Sequence, residues 1–156
     1  MPVVVDFDGA TRKIQWKVEI EMLDYHHYLP IFFEGLREPE DPEKFLADRG
    51  IDELIANGRD KILPVLPQLI IPIKAALQTK RKEVVVKTLK KLQLLVRSSD
   101  AVAESLVPYY RQILPVMNLL RHRNSKSNLT SNNRIHIFRE HWRQNRLFPE
   151  EPGQRW

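Results

Sequence analysis

Cysteine is missing from this chain of 156 residues. Its absence excludes disulfide bonds, thiolate zinc sites, iron–sulfur clusters and a cysteine nucleophile. The five glycines are scattered and form none of the glycine-rich motifs that cradle phosphates. The sequence has neither a run of about 18 apolar residues nor a signal-peptide pattern at its start, so we expect no membrane span and no secretion. The expected compartment is the cytoplasm.

Charge is abundant but unevenly distributed. The chain has 25 Lys and Arg against 20 Asp and Glu, a net charge of +5. Residues 1–120 contain 17 charges of each sign, so the surplus follows residue 120. Residues 19–60 contain 12 acids and 4 bases, whereas residues 74–97 contain 8 bases and one acid. Two opposed patches are consistent with electrostatic docking to a partner, although solvated helix faces give the same pattern.

The first 22 residues predict a β-hairpin. Apolar residues alternate with polar ones on both sides of the turn pair Asp8-Gly9, from Val3 to Phe7 and again from Ile14 to Ile20. An isolated hairpin is only marginally stable in water. We therefore expect Trp16 to pack this N-terminal unit, residues 1–22, onto the rest of the chain.

Residues 23–123 have a helical pattern and contain a repeat. Three similar apolar segments are centred on Pro30, Pro72 and Pro115, which are 42 and 43 residues apart. This period is typical of HEAT and armadillo repeats. A proline inside a helix costs about 3 kcal/mol and bends it, so three at a matched spacing indicate an architectural role; chance alignment is the alternative. The predicted fold is all-α, a HEAT/armadillo-like helical solenoid that follows the β-hairpin.

Second helices are predicted between the proline-bearing segments. The first begins at Asp41-Pro42, has an apolar stripe broken by Gly50, and stops at Asn57-Gly58. A later helix has apolar residues at the positions i, i+4, i+7 and i+11, starting from Val85. The opposite face of this later helix carries Lys87, Lys90 and Lys91.

Residues 124–156 predict a basic and largely disordered tail with one possible short amphipathic helix. A polar linker over 124–133 comes first. The basic residues that follow are interleaved with Phe138 and Trp142. This pattern gives an alternative hypothesis, nucleic-acid binding through Arg134, Arg139, Arg143 and Arg146. A chaperone-associated adaptor protein that uses the same basic segment is the other alternative.

The histidines do not predict a metal site. His26 and His27 are adjacent, and adjacent helical residues point about 100° apart, so they rarely share a metal ion. We expect one histidine of the pair to be packed against the fold and the other to be exposed. The remaining histidines lack the i, i+4 spacing and nearby carboxylates that a metal site needs. Since no catalytic motif is present either, we expect a protein that is not an enzyme and uses no metal, cofactor or small-molecule substrate.

Three stretches of the sequence resemble the parkin co-regulated protein family. They read WKVEIE and LDYHHYLP at residues 16–30, KILPVLPQLIIPIK at residues 61–74, and LVPYYRQILPV at residues 106–116. Their order and spacing match the family over roughly residues 7–120. The last 36 residues depart from the family's pattern and look like an alternative or truncated end.

The resemblance implies a helical HEAT/armadillo-like protein of the axoneme, the microtubule core of cilia and flagella. Family members help to join the A- and B-tubules at the inner junction of doublet microtubules, beside a companion inner-junction protein. The implied partners are α/β-tubulin and chaperones, with a role in formation of the sperm flagellum. The charge count alone nominates the tubulin-binding residues, which are Lys80, Arg81, Lys82, Lys87, Lys90 and Lys91.

Overall fold

A computed structural model describes residues 3–8 and 11–123. Two antiparallel strands come first, β1 (Val3–Asp8) and β2 (Thr11–Trp16). The register pairs Val3 with Trp16 and Asp8 with Thr11. The predicted β-hairpin is therefore confirmed, but its second strand ends at Trp16, and Ile20–Met22 form a 3-10 helix instead of continuing the strand. The predicted tail over 124–156 lies outside the described residues.

The rest of the described chain is helical, which confirms the prediction of a mostly α-helical fold. Its helices are α1 (Tyr25–Glu34), α2 (Glu43–Gly58), α3 (Leu66–Gln78), α4 (Lys82–Ser98), α5 (Asp100–Leu106) and α6 (Tyr110–Arg123). Short 3-10 turns connect several of them. None of the helices in this part of the chain is long and apolar enough to cross a bilayer.

The helices form two neighbouring rows. Helix α3 packs against both α1 and α6, so these three helices lie side by side. Helix α2 packs against α1 and α4, and α4 also contacts α3. Between the rows lies one continuous core, whose fully buried members include Leu29, Phe33, Ile51, Leu54, Leu66, Leu69, Ile73, Leu77, Leu92 and Leu95.

The three repeat prolines all lie inside helices of the same row. Pro30 is in α1, Pro72 in α3 and Pro115 in α6. The repeat prolines therefore mark three helices of which the middle one, α3, packs against both of the others.

Gly50, which breaks the apolar stripe of the sequence pattern, lies buried inside a continuous helix. Helix α2 runs through Gly50 and ends at Gly58, as the pair Asn57-Gly58 predicts. A Cβ atom at Gly50 would lie 2.3 Å from Cε1 of Phe32 on α1. The missing side chain at Gly50 is thus what lets α2 approach the Phe32 ring.

The hairpin is attached to the helices through Trp16, as predicted. The Trp16 ring lies 5.8 Å from the Phe32 ring, and its Nε1 donates a hydrogen bond to Glu53 on α2 at 2.5 Å. A second link is the ion pair between Arg12 and Asp41, at 2.6 Å. Apolar and polar contacts therefore both position the hairpin, and its residues Val3 and Ile14 also pack with the core.

Replacing Trp16 by phenylalanine should lower the free energy of unfolding by about 1 kcal/mol, because Glu53 loses its donor while most of the ring contact remains. Chemical denaturation followed by circular dichroism measures the change. The exposed neighbour Lys17 supplies the control, since Lys17→Ala should have almost no effect. Equal losses in the two variants would contradict the proposed anchoring role.

Candidate functional site

The two charged runs of the sequence meet along the contact between α2 and α4. Lys44, Asp48 and Asp52 follow one another at intervals of four on α2, as do Glu83, Lys87 and Lys91 on α4. Residues four apart in a helix share one face. The two faces form a series of ion pairs, the α2–α4 ladder: Lys44 with Glu83 at 2.7 Å, Lys87 with Asp48 at 3.4 Å, and Lys91 with Asp48 at 2.6 Å and Asp52 at 2.7 Å.

Lys91 is buried, and the prediction that it lies on an exposed basic face was wrong. Its side chain is only 5% exposed, and its ammonium group contacts both Asp48 and Asp52. A lysine is almost never buried this deeply unless it is paired. Lys87 is 23% exposed and is also paired with Asp48. Both lysines therefore hold α4 against α2.

The ladder lowers the pKa values of two carboxyl groups, those of Asp48 and Glu83. Burial of Asp48 by itself would raise its pKa, but hydrogen bonds and charge from Lys91 and Lys87 outweigh this effect and leave the pKa below its ordinary value of 3.8. At the solvent-exposed end of the ladder, the hydrogen bond from Lys44 lowers the pKa of Glu83. The ladder therefore favours ionised carboxylates in the folded state.

Four of the six nominated residues are exposed: Lys80, Arg81, Lys82 and Lys90. The first three form the connection between α3 and α4, which we call the basic turn. Lys80 has a φ of 57°, a left-handed conformation that favours glycine. Arg81 donates a hydrogen bond from Nη1 to the carbonyl oxygen of Arg37, at 3.2 Å. The basic turn is thus a fixed and solvent-accessible group of three cations.

An acidic segment lies beside the basic turn. The end of α1 and its connection to α2 carry exposed carboxylates, which we call the acidic loop: Glu34, Glu38, Glu40 and Glu43. The Arg81 hydrogen bond and the Lys44–Glu83 ion pair join the two segments at their bases. Opposite charges therefore lie next to each other at one edge of the fold.

The histidine pair has no metal-site geometry. His26 and His27 are both exposed, and Nδ1 of His26 lies 3.3 Å from Nε2 of Gln68. The expected burial of one histidine of the pair was wrong. No cluster of three or more potential metal ligands occurs among the described residues. The four arginines of the alternative hypothesis, from Arg134 to Arg146, lie beyond the described part of the chain.

Sequence reasoning identified the charged runs but missed their pairing. The available signal was a four-residue spacing of charges in α2 that recurs in α4 with the opposite signs. Neither spacing indicates that these two helices are neighbours. Asp48 and Asp52 were therefore counted as part of an acidic surface, although they are the partners of two of the nominated lysines.

The fold and the site together define a mostly helical protein with an N-terminal hairpin, an internal ion-pair ladder and an exposed basic turn. Comparison with known families gives a match to Parkin co-regulated protein over residues 1–146. The chain belongs to this family. The matched range continues past Leu120, where the resemblance in the sequence was expected to end.

A curated mouse protein, the Parkin coregulated gene protein homolog of Mus musculus, is 54% identical over 126 residues. The aligned region covers 81% of this chain and 52% of the mouse protein. The chain therefore spans about half the length of this relative.

Proposed function

We propose that this protein is a structural microtubule-associated component of ciliary and flagellar axonemes, where it helps to join the A- and B-tubules at the inner junction of the doublet. The observation that carries this proposal is membership of the Parkin co-regulated protein family, over residues 1–146. The proposed partners are α/β-tubulin and a companion inner-junction protein, with chaperones during assembly. The proposal includes no catalysis, cofactor, small-molecule substrate or membrane contact.

We also propose that the helices form a solenoid of the HEAT/armadillo type. Four hydrogen bonds join residues 39 to 44 positions apart: Lys91 to Asp52, Lys61 to the carbonyl of Glu21, Gln68 with His26, and Arg81 to the carbonyl of Arg37. These separations are close to the spacing of the repeat prolines. In the ladder, later positions of α2 pair with later positions of α4, so the two helices run parallel, as equivalent helices of successive repeats do.

In the proposed mechanism the protein docks as a rigid body, and the basic turn meets an acidic surface of tubulin. Lys80, Arg81, Lys82 and Lys90 supply the contacting charges, because these residues are exposed. Lys87 and Lys91 act indirectly, since they fix α4 against α2. Exposed charges are screened by salt over about 10 Å at 0.1 M ionic strength, so binding should weaken as salt is added.

Co-sedimentation with microtubules tests this assignment. The triple variant Lys80→Asp, Lys82→Glu and Lys90→Glu should weaken binding by about tenfold or more, because it replaces three favourable contacts with repulsive ones. Aspartate is chosen at position 80 because it tolerates a left-handed conformation.

The matched control reverses three exposed charges elsewhere, in the triple variant Lys17→Glu, Arg49→Glu and Arg111→Glu. This control changes the net charge by the same amount. If the location of the charges determines the affinity for microtubules, the control should bind within about twofold of the wild type. Equal weakening in both triple variants would show that only net charge matters. Unchanged binding of the first variant would remove the basic turn from the proposed interface.

A further inference from the structure

The acidic loop and the basic turn form one edge with adjacent patches of opposite charge. The two segments are joined by Arg81 to the carbonyl of Arg37 and by Lys44 to Glu83. These links join residues that lie within the two segments or directly beside them. The patches therefore cannot separate without breaking the links. Their relative position is therefore fixed by the fold.

The outer charges of this edge are not paired with each other or with other charges in the part of the chain that the structure describes. Glu38, Glu40 and Glu43 are exposed and form no ion pair with any described residue, and the same holds for Lys80 and Lys82. This distinguishes the edge from the α2–α4 ladder, where opposite charges satisfy each other. The unused charges are available to a partner that presents the reverse pattern.

A surface with adjacent acidic and basic patches is complementary to itself after a two-fold rotation. We propose that this edge binds the same edge of a second copy of the chain, so that the acidic loop of each copy contacts the basic turn of the other. Charge complementarity identifies the occupant, because the second copy presents both signs at the spacing that the first requires. The inference is independent of the proposed function, and no tubulin is needed to test it.

The physical consequence is a dimer whose stability depends on salt. Exposed ion pairs are individually weak, but the two-fold symmetry makes every pair occur twice. The same charges are screened within about 3 Å at 1 M salt. Since the basic turn is part of the contact, self-association and any acidic ligand of that turn exclude each other.

Charge-swap variants of the full chain test the inference by sedimentation velocity. The first is Glu38→Lys with Glu40→Lys, and the second is Lys80→Asp with Lys82→Glu. The wild type should form dimers at low ionic strength and dissociate as salt is added. Each double variant alone should raise the dissociation constant of the dimer by about tenfold or more, because like charges then face each other.

An equimolar mixture of the two variants should restore association to within about threefold of the wild type, since each supplies the charges that the other has lost. Two matched controls reverse exposed charges of the same sign away from this edge, Asp60→Lys with Glu104→Lys for the first variant and Lys17→Glu with Arg111→Glu for the second, and each control should behave as the wild type does. Circular dichroism should give unaltered helicity for all variants. A monomeric wild type at low salt, an unrestored mixture, species larger than dimers, or an equal effect of either control would each overturn the proposal.

Discussion

Replacing Lys91 by methionine is expected to lower the free energy of unfolding by about 3 kcal/mol, because the loss of one partner leaves buried charge uncompensated. The Lys91 ammonium lies 2.6 Å from Asp48 and 2.7 Å from Asp52, and both carboxylates depend on it. Methionine keeps the length and apolar stem of the side chain, so the change isolates the charge. Breaking a buried ion pair costs about 3–5 kcal/mol. The loss of stability should lie at the lower end of this range, since the side chains of Asp48 and Asp52 are 32% and 40% exposed. Chemical denaturation measures it.

The control is Lys90→Met, one position earlier on the same helix. Lys90 is exposed, so this variant should change the free energy of unfolding by no more than about 0.5 kcal/mol. Similar losses for positions 90 and 91 would show that the ladder does not stabilise the fold.

The same comparison made across pH tests the origin of the effect. The pKa of Asp48 is lowered in the folded state, so its ionised form contributes stability that is fully present above its unfolded value of 3.8. This stability is lost as the pH falls through the lower folded pKa. The difference in stability between wild type and Lys91→Met should therefore shrink in acid. A difference that stayed constant from neutral pH down to strongly acidic pH would point to packing instead of charge.

Replacing Gly50 by alanine is expected to lower the free energy of unfolding by about 2 kcal/mol, although alanine is the better helix former. A Cβ atom would lie 2.3 Å from Cε1 and 2.6 Å from Cδ1 of Phe32, far inside contact distance. Phe32 is 2% exposed and also contacts Trp16, so the ring has little room to move. Overpacking of this kind costs about 1–3 kcal/mol and more than offsets the helix propensity gain of about 1 kcal/mol. Thermal and chemical denaturation measure the loss.

A second substitution tests whether the Phe32 ring is the cause. In a Phe32→Leu background the Gly50→Ala change should cost less than about 0.5 kcal/mol, because the smaller side chain leaves space for the methyl group. The exposed position Ala56 on the same helix gives the propensity term alone, through Ala56→Gly. If the cost of Gly50→Ala were the same with and without Phe32, the close approach of α1 and α2 would not explain it.

The ladder also changes how the charge of the protein is understood. The sequence suggested two opposed patches on the body, and both were assigned to docking. Lys44, Asp48 and Asp52 on α2 instead neutralise three residues of α4 within the fold. The charges left for partners are fewer, and the edge formed by the acidic loop and the basic turn groups seven of the exposed ones. For this reason both proposals place binding at that edge, and the tubulin proposal adds only Lys90 from the rest of α4.

Local patterns were sufficient for most of the secondary structure of the described residues. Alternation of apolar residues determined the hairpin, and helical periodicity determined the helices. These signals depend on residues close together in the chain, and each element buries its own apolar face. The same reasoning did not explain Gly50, because the reason for that glycine is the Phe32 ring of another helix.

The sequence by itself determined most of the described elements and the family of this protein. Only the tertiary structure decided which charges are available to a partner. Lys90 and Lys91 are neighbours in the chain, yet one is exposed and the other lies between two carboxylates of α2. Which of the two lysines is buried depends on which face of α4 packs against α2. Apolar contacts of the core across many residues determine that face.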